Sequence, residues 1–326
     1  MRGKLGPILS GVGGFLLVVG LLLKFYAYPN LAVAPVEQDT VSQLSGAGAT
    51  VFDIPSLSEI QVDLTTTAKT TGDVKASQDA GDDIRVWENA TSTKSDDDVV
   101  RSRSIERVAF DAHTGEAVEC EKCGTYSETV QGQPEAVDFE GQIFKFPFQT
   151  EKKTYQWWDS TLLRAFPAEY VREEKLEGLD TYVFEQVIEP EVWTQMEVPP
   201  DVVGEEGEDS IEADRSYSNT RTFWVEPETG VVIKRQEQQG ATLQIDGEDR
   251  ATLTEVTTTF TDDTIANNVD EYGAKVTQLK MIRSTLPLVL GILGALLLVL
   301  GFVLHRRSQG SSRTESPAQA KAKANA

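Results

Sequence analysis

The chain has 326 residues, of which 52 are acidic and 30 are basic, so its net charge is −22 at pH 7. This length is enough for one or two domains with their own cores. The excess of negative charge excludes nucleic acid as a main partner, because phosphate backbones repel an acidic surface. Hydrophobic residues make up 40% of the chain, and the longest apolar runs lie near its two ends.

These two apolar runs predict transmembrane helices. Residues 5–23 and 285–304 contain no charged side chain, and about 20 apolar residues span a bilayer core of about 30 Å. The first run has an alternative interpretation as a signal peptide, since Ala32-Val33-Ala34 resembles a cleavage site. However, the run is longer than a signal core, the tripeptide lies well beyond it, and Pro35 disfavours cleavage. We therefore interpret it as an uncleaved anchor.

Basic residues outside the runs predict the orientation in the plasma membrane. Arg2 and Lys4 precede the first run, and five basic residues follow the second, namely Arg306, Arg307, Arg313, Lys321 and Lys323. By the positive-inside rule, both termini face the cytoplasm and the region between the runs is extracytoplasmic. Three basic residues on the outer flanks weaken this bias, namely Lys24, Lys280 and Arg283.

The extracytoplasmic region, residues 24–284, contains 51 acidic and 23 basic residues and therefore carries a charge of −28. Solubility is the simplest reason for this charge, and a vestibule that attracts cations is the alternative. Short runs rich in Thr, Val and aromatic residues, separated by turn residues, predict antiparallel β-sheet in this region.

The predicted fold is therefore a mainly β ectodomain with two transmembrane α-helices. The predicted segments are a cytoplasmic start and first span (1–28), a linker (29–50), a first β repeat (51–140), a second β repeat (141–262), a stalk helix (263–284), a second span (285–304) and a disordered cytoplasmic tail (305–326).

A faint internal repeat indicates duplicated half-barrel-like sheets. Residues 81–89 resemble 178–186, and residues 108–118 resemble 223–233 in the same order. Each second element predicts a hairpin whose Thr-Gly turn gives glycine a positive φ. The second copy carries an insert at 191–211, which its prolines and acidic residues predict to be an exposed loop.

Residues that carry chemistry are scarce. We find no motif for catalysis, a metal or a cofactor, so we expect a protein that is not an enzyme and needs no cofactor. Cys120 and Cys123 are the only cysteines, and in an oxidising compartment they predict a small structural disulfide. Tyr155, Trp157 and Trp158 form an aromatic group that either packs in the core or lines a site for an apolar ligand.

Small residues in the apolar runs predict helix packing. Ser10 and Gly14 lie four apart in the first run, and Gly291 and Ala295 lie four apart in the second. This spacing allows close approach of helices, either to each other or to those of a second copy.

Three segments carry a resemblance to a known family. Residues 141–159, together with 176–184 and the hairpin at 111–118, resemble the actinobacterial PorA family. The resemblance implies a domain of unknown function between two terminal spans, over nearly the whole chain. The porin name implies a channel, and no catalytic residue comes with it. In shape only, the repeated hairpins are similar to lipoprotein-carrier half-barrels, and the two anchors to class B scavenger receptors.

Three functions follow as hypotheses. The first is an envelope protein that binds or passes a lipid or another hydrophobic molecule. The second is a subunit of a porin or channel, and the third is a structural module that binds another envelope protein or a second copy. Membrane lipids are expected partners in all three cases, and fold-level analogy does not separate them.

Overall fold

The computed structural model describes residues 5–129 and 134–311, and it divides into two compact units. The helical unit contains the described residues up to Ala32 and from Lys275 onwards, and the β unit is Val33–Ala274. The predicted cytoplasmic start, with Arg2 and Lys4, lies outside the described residues, as does the predicted tail beyond residue 311.

The helices lie mostly at the ends of the chain. In chain order they are α1 (Leu5–Leu22), α2 (Tyr28–Leu31), α3 (Val74–Ala80), α4 (Asp262–Lys280) and α5 (Leu286–Ser311). A π turn, Leu23–Ala27, joins α1 to α2, and a second, Met281–Thr285, joins α4 to α5. The resulting helical runs, Leu5–Leu31 and Asp262–Arg307, are both long and apolar enough to cross a membrane.

The described residues of the β unit include eleven strands. They are β1 (Asp39–Asp53), β2 (Ser58–Gly72), β3 (Ile84–Ser95), β4 (Val100–Asp111), β5 (Tyr126–Thr129), β6 (Tyr155–Asp159), β7 (Arg164–Leu176), β8 (Leu179–Val198), β9 (Ile211–Glu226), β10 (Val231–Ile245) and β11 (Glu248–Phe260). The predicted antiparallel β fold with two apolar terminal helices is confirmed.

All eleven strands belong to one sheet, in the order β5-β4-β3-β2-β1-β11-β10-β9-β8-β7-β6. The chain enters at the centre, where β1 pairs with β11, and runs outwards to β5 at one edge. It then crosses to β6 at the other edge and runs back to the centre. The two predicted halves are therefore continuous parts of one sheet, while their origin by duplication stays a prediction.

Several predicted boundaries differ from the structure. β1 begins at Asp39, so most of the predicted linker is strand. The first part of the predicted insert at 191–211 is the end of β8 and a 3-10 turn at Pro200–Val203. Val198 and Val203 are buried there against residues of β9 to β11, so this part is not an exposed loop. The acidic part, residues 205–209, is exposed and lies outside helix and strand. Helix α5 continues to Ser311, past the predicted start of the tail.

The two edges of the sheet meet near one end of the β unit. Gln142, in the crossing segment between β5 and β6, forms bridges to Glu116 on one side and Trp157 on the other. The amide of Trp158 donates to the carbonyl of Gln142 at 2.9 Å, and that of Ala117 donates to the carbonyl of Gly141 at 2.8 Å. These bonds satisfy backbone groups that would otherwise be unpaired at sheet edges, and they curl the sheet around an interior.

Two matching turns hold the crossing segment. The side chain of Asp111 accepts hydrogen bonds from the amides of residues 113 and 114, and that of Glu226 accepts them from the amides of residues 228 and 229. The segment passes beside both turns, because the amide of Phe148 donates to His113 O and that of Phe146 donates to Gly230 O, at 3.1 and 2.8 Å. These turns are the Thr-Gly turns of the predicted repeat.

Glycines bring α1 and α5 into close contact. A Cβ atom on Gly13 would lie 2.6 Å from the carbonyl oxygen of Gly294, and one on Gly6 would lie 2.9 Å from that of Gly301. Of the predicted packing residues, Ser10 contacts this seam through Gly301. A Cβ atom on Gly14 or Gly291 would meet nothing within 4 Å, and Ala295 is exposed, so these three lie away from it. The contacts repeat every seven residues rather than every four.

We predict that Gly230→Ala destabilises the β unit more than Gly247→Ala. Both glycines have positive φ, at 73° and 78°, so each alanine costs about 1–2 kcal/mol in backbone conformation. Only at Gly230 would the new Cβ also overlap the carbonyl oxygen of Phe146. Urea unfolding of the full-length protein, followed by tryptophan fluorescence, measures both losses. Equal losses would mean that the crossing segment moves aside freely.

Candidate functional site

Inward-facing side chains of three neighbouring strands lie at one level of the sheet. Arg221 of β9 is directly opposite Gln186 of β8 on one side and Glu237 of β10 on the other. Since directly opposed residues of antiparallel strands project from the same face, these side chains come together. They form the centre of what we call the inner charged cluster, completed by Asp159, Arg235 and Glu106 as described below.

Arg221 connects most of this cluster. Its guanidinium lies 2.7 Å from the Asp159 carboxylate, 3.1 Å from the Glu237 carboxylate and 3.0 Å from the side-chain oxygen of Gln186. Asp159 is completely buried and also accepts a hydrogen bond from Tyr217. Burial of such charges is tolerated only with close partners of this kind.

Glu237 is the carboxylate most strongly affected by its neighbours. Burial by itself would raise its pKa, but Arg221 and Arg235 overcome this effect and lower the pKa to about 2. Arg235 lies 3.0 Å from it, and Asn219 donates a further hydrogen bond at 3.0 Å. Glu237 is therefore ionised at neutral pH, although it lies inside the protein.

Glu106 links the two sides of the curled sheet. It lies on β4 and accepts hydrogen bonds from the Trp158 indole at 3.0 Å and the Ser160 hydroxyl at 2.9 Å, both near the opposite edge. Burial raises the pKa of Glu106, although both hydrogen bonds oppose that shift. The side chain thus connects β4 with residues in and next to β6, and these two strands lie nine positions apart in the sheet.

Aromatic rings pack beside the cluster, in the end of the β unit where the edges meet. Trp157 lies 5.0 Å from Phe146 and 4.5 Å from Phe223 between ring centroids, and Tyr155 and Phe184 extend the same group. All five rings are buried. Tyr155 and Trp157 belong to this packed group, and Trp158 is also buried, with its ring centroid 4.9 Å from that of Phe139. Their role as a lining for an apolar ligand stays a prediction.

Beyond the cluster, the same face of the sheet is polar. The register places Asn89 opposite Glu106, and Thr70 opposite Asn89. Thr93 and Thr66 are also opposed and share a hydrogen bond of 2.8 Å between their hydroxyls. These side chains are half-buried. A face of hydroxyl and amide groups suits water and polar solutes better than acyl chains.

Lys145, in the crossing segment, is a buried ionisable residue outside the inner charged cluster. Its ammonium donates to the carbonyl of Phe146 at 2.6 Å and lies 3.9 Å from the centre of the Phe148 ring. Burial lowers the pKa of Lys145 to about 7, although Asp111 opposes this shift. The lysine stem packs beside the first of the matching turns, where its Cγ would lie 3.1 Å from a Cβ atom on Gly115.

The cysteines and histidines lie away from the inner charged cluster. Cys120 and Cys123 are bonded as a disulfide, with Cα atoms 5.3 Å apart, around a 3-10 turn that packs against β3, β4 and α3. His113 lies in the first of the matching turns. Among the described residues, no group of three or more His, Cys, Asp or Glu side chains is arranged to hold a metal.

The sequence did not single out the members of the inner charged cluster. Arg221, Glu237 and Asp159 lie in strands among many other charged residues, and no spacing distinguishes them. Alternation along β9 was the only available indication, because Arg221 shares its face with Phe223 and Val225, which are fully buried.

Comparisons with known proteins agree on one family. A sequence model of the family described as Porin PorA matches residues 5–303. The chain is 22% identical to a protein named Porin PorA from Corynebacterium amycolatum, over 94% of this chain and 100% of that protein. It is 25% identical to a Porin PorA of Corynebacterium resistens, over 53% of this chain and 57% of that relative.

We predict that Glu237→Gln destabilises the protein by about 3–5 kcal/mol at pH 7, because it leaves Arg221 and Arg235 short of a buried counter-charge. Glu248→Gln, whose side chain is 75% exposed, should change the free energy of unfolding by less than about 0.5 kcal/mol. Denaturant unfolding of the full-length protein gives both values.

The effect of Glu237→Gln should also depend on pH. The folded-state pKa of about 2 lies below the ordinary value of 4.5, so the stabilisation from Glu237 is present above pH 4.5 and is lost as pH falls towards 2. The variant should therefore show a weaker loss of stability in this range than the wild type. If the free energies of unfolding of the variant and the wild type changed in parallel with pH, the lowered pKa of Glu237 would be contradicted.

Proposed function

The chain belongs to the Porin PorA family, and from this premise we propose that it is a channel component that favours small cations. The two apolar helices and the family together make it a protein of a membrane or the cell envelope. The names of its relatives support a porin role for this chain. The substrate class rests on the charge and polarity of the β unit.

Charge is the observation that carries the proposal. The β unit contains 51 acidic residues and 19 basic residues, a net charge of −32. Such a field concentrates cations near the unit and excludes anions. The polar inner face, with Thr66, Thr93 and Asn89, offers hydrogen-bonding groups rather than an apolar lining. Both features support small hydrated cations over lipids as the solute.

The membrane segments require several copies for a pore. Residues 5–23 and 285–304 contain no charged side chain, and two packed helices enclose no aqueous path. Since ion pathways are lined by polar groups or by backbone, we infer that helices of several chains surround the path. A homo-oligomer is therefore the expected partner, together with membrane lipids.

The orientation follows from the basic residues at the two ends. We propose a plasma-membrane location with both termini in the cytoplasm and the β unit outside. We also propose a role without catalysis, on the basis of the sequence, in which we find no catalytic motif of a known kind. The cysteine pair suits the oxidising outer side.

We predict that purified full-length protein forms cation-selective channels in planar bilayers. In a KCl gradient, the reversal potential should have the sign set by potassium permeation, because the acidic unit excludes chloride. Selectivity should fall as pH drops below about 4, where carboxylates become neutral. Detergent without protein and urea-unfolded protein are the controls. If none of the oligomers of the purified protein conducted ions, this result would contradict the channel proposal and favour an interaction module.

Lipid binding is the second candidate, because the sheet curls around an interior. The buried rings of Trp157 and Trp158 and the polar inner face count against it. A lipid in the β unit would have to displace packed aromatic rings, which costs several kcal/mol.

Tryptophan quenching separates the two candidates. All five tryptophans lie in the β unit, and all except Trp193 are buried. In a variant that lacks Trp193, a brominated fatty acid therefore quenches the fluorescence only if its chain enters that unit. We expect quenching no greater than that given by a brominated water-soluble acid of the same charge. Saturable quenching at one fatty acid per chain would instead support lipid carriage.

A further inference from the structure

The seam between α1 and α5 follows one antiparallel register along its length. Gly6 meets Gly301, Gly13 meets Gly294, and Gly20 meets Pro287. Each step advances seven residues on the first helix and retreats seven on the second. Along this register, each residue of one helical run has a residue of the other run at the same height along the helix axes, which we call its level.

Continuing this register brings basic residues to one level. The next step after Gly20 and Pro287 places Ala27 level with Lys280, and the residue three before Ala27, Lys24, is level with Arg283. The two π turns, Leu23–Ala27 and Met281–Thr285, contact each other here. Three basic side chains at one level make the local electrostatic potential positive, and a positive potential attracts anions.

Both helical runs change to π geometry at this same place. A π turn is uncommon, and single turns of this kind frequently occur at functional sites. The two π turns contact each other, and one contains Lys24 while the other contains Arg283. This backbone geometry indicates a functional site independently of the charges.

The surroundings match a membrane surface. Phe25 and Tyr26 are 68% and 69% exposed, and aromatic side chains of this kind collect at the level of lipid headgroups. Residues 5–32 and 275–311 include basic residues but no Asp or Glu. This part of the molecule is therefore positive, in contrast to the β unit with its charge of −32.

We propose that Lys24, Lys280 and Arg283 bind the phosphate of an anionic phospholipid headgroup, with Phe25 and Tyr26 at the membrane interface. A guanidinium binds phosphate oxygens in a bidentate manner, and ammonium groups add charge. With the orientation proposed above, this lipid lies in the outer leaflet. The site itself does not depend on channel activity.

The test uses full-length protein in nanodiscs with equal amounts of phosphatidylglycerol and phosphatidylcholine. Native mass spectrometry then counts the lipids that stay bound to the protein after it is released from the nanodiscs. We expect the wild type to retain phosphatidylglycerol preferentially. Lys24→Gln with Arg283→Gln should lower this preference by roughly fivefold for each charge removed. If the double variant fails to fold, each single variant should show one such step.

Three controls decide the outcome. Lys24→Arg with Arg283→Lys keeps both charges and should keep the preference. Lys69→Gln with Arg250→Gln removes the same charge from the β unit and should leave it unchanged. Glycerol phosphate should not displace the lipid, and displacement would show a site for soluble phosphate instead. Equal retention of phosphatidylglycerol by the wild type and the Lys24 and Arg283 variants would overturn the proposal.

Discussion

The β unit depends on one constraint, which is that the chain must cross from one edge of an eleven-stranded sheet to the other. Strand order places β5 and β6 at opposite edges, so the connection between them has to satisfy its own backbone groups. It does so by pairing with both edges through Gln142 and by lying against the turns at Gly115 and Gly230. The sheet therefore curls, and an open sheet with the same strands would leave these hydrogen bonds unmade.

Curling also explains why charged side chains are buried in the interior. Once the edges meet, Asp159 of β6 lies beside Arg221 of β9, and Glu106 of β4 receives hydrogen bonds from the β6 side. The cluster gains little net energy compared with apolar packing, since removing these charges from water is costly. The hydrogen bonds from Trp158 and Ser160 to Glu106 join the two edges in this alignment, so the cluster contributes to the specificity of closure. The aromatic group around Phe146 then supplies the hydrophobic burial.

The helical unit and the β unit divide the functional properties between them. The helical unit provides apolar helices, close glycine contacts and a basic level at Lys24 and Arg283, whereas the β unit provides a strong negative charge. A channel that favours cations needs a negative charge near the membrane, and it needs apolar, closely packed helices within the membrane. The proposed binding of lipid phosphate would neutralise the basic level at Lys24 and Arg283, so that level is compatible with both properties.

The sequence by itself determined the two apolar helices, the antiparallel β class, the Thr-Gly turns and the family resemblance, because these depend on local composition and short patterns. Its four-residue spacing of small residues did not locate the helix seam, since Gly13 and Gly294 meet through a seven-residue repeat that appears only when both helices are placed. The pairing of Arg221 with Asp159 likewise needed the tertiary structure. Those residues are 62 positions apart, in strands β6 and β9, and the curl of the sheet between these two strands brings their charges together.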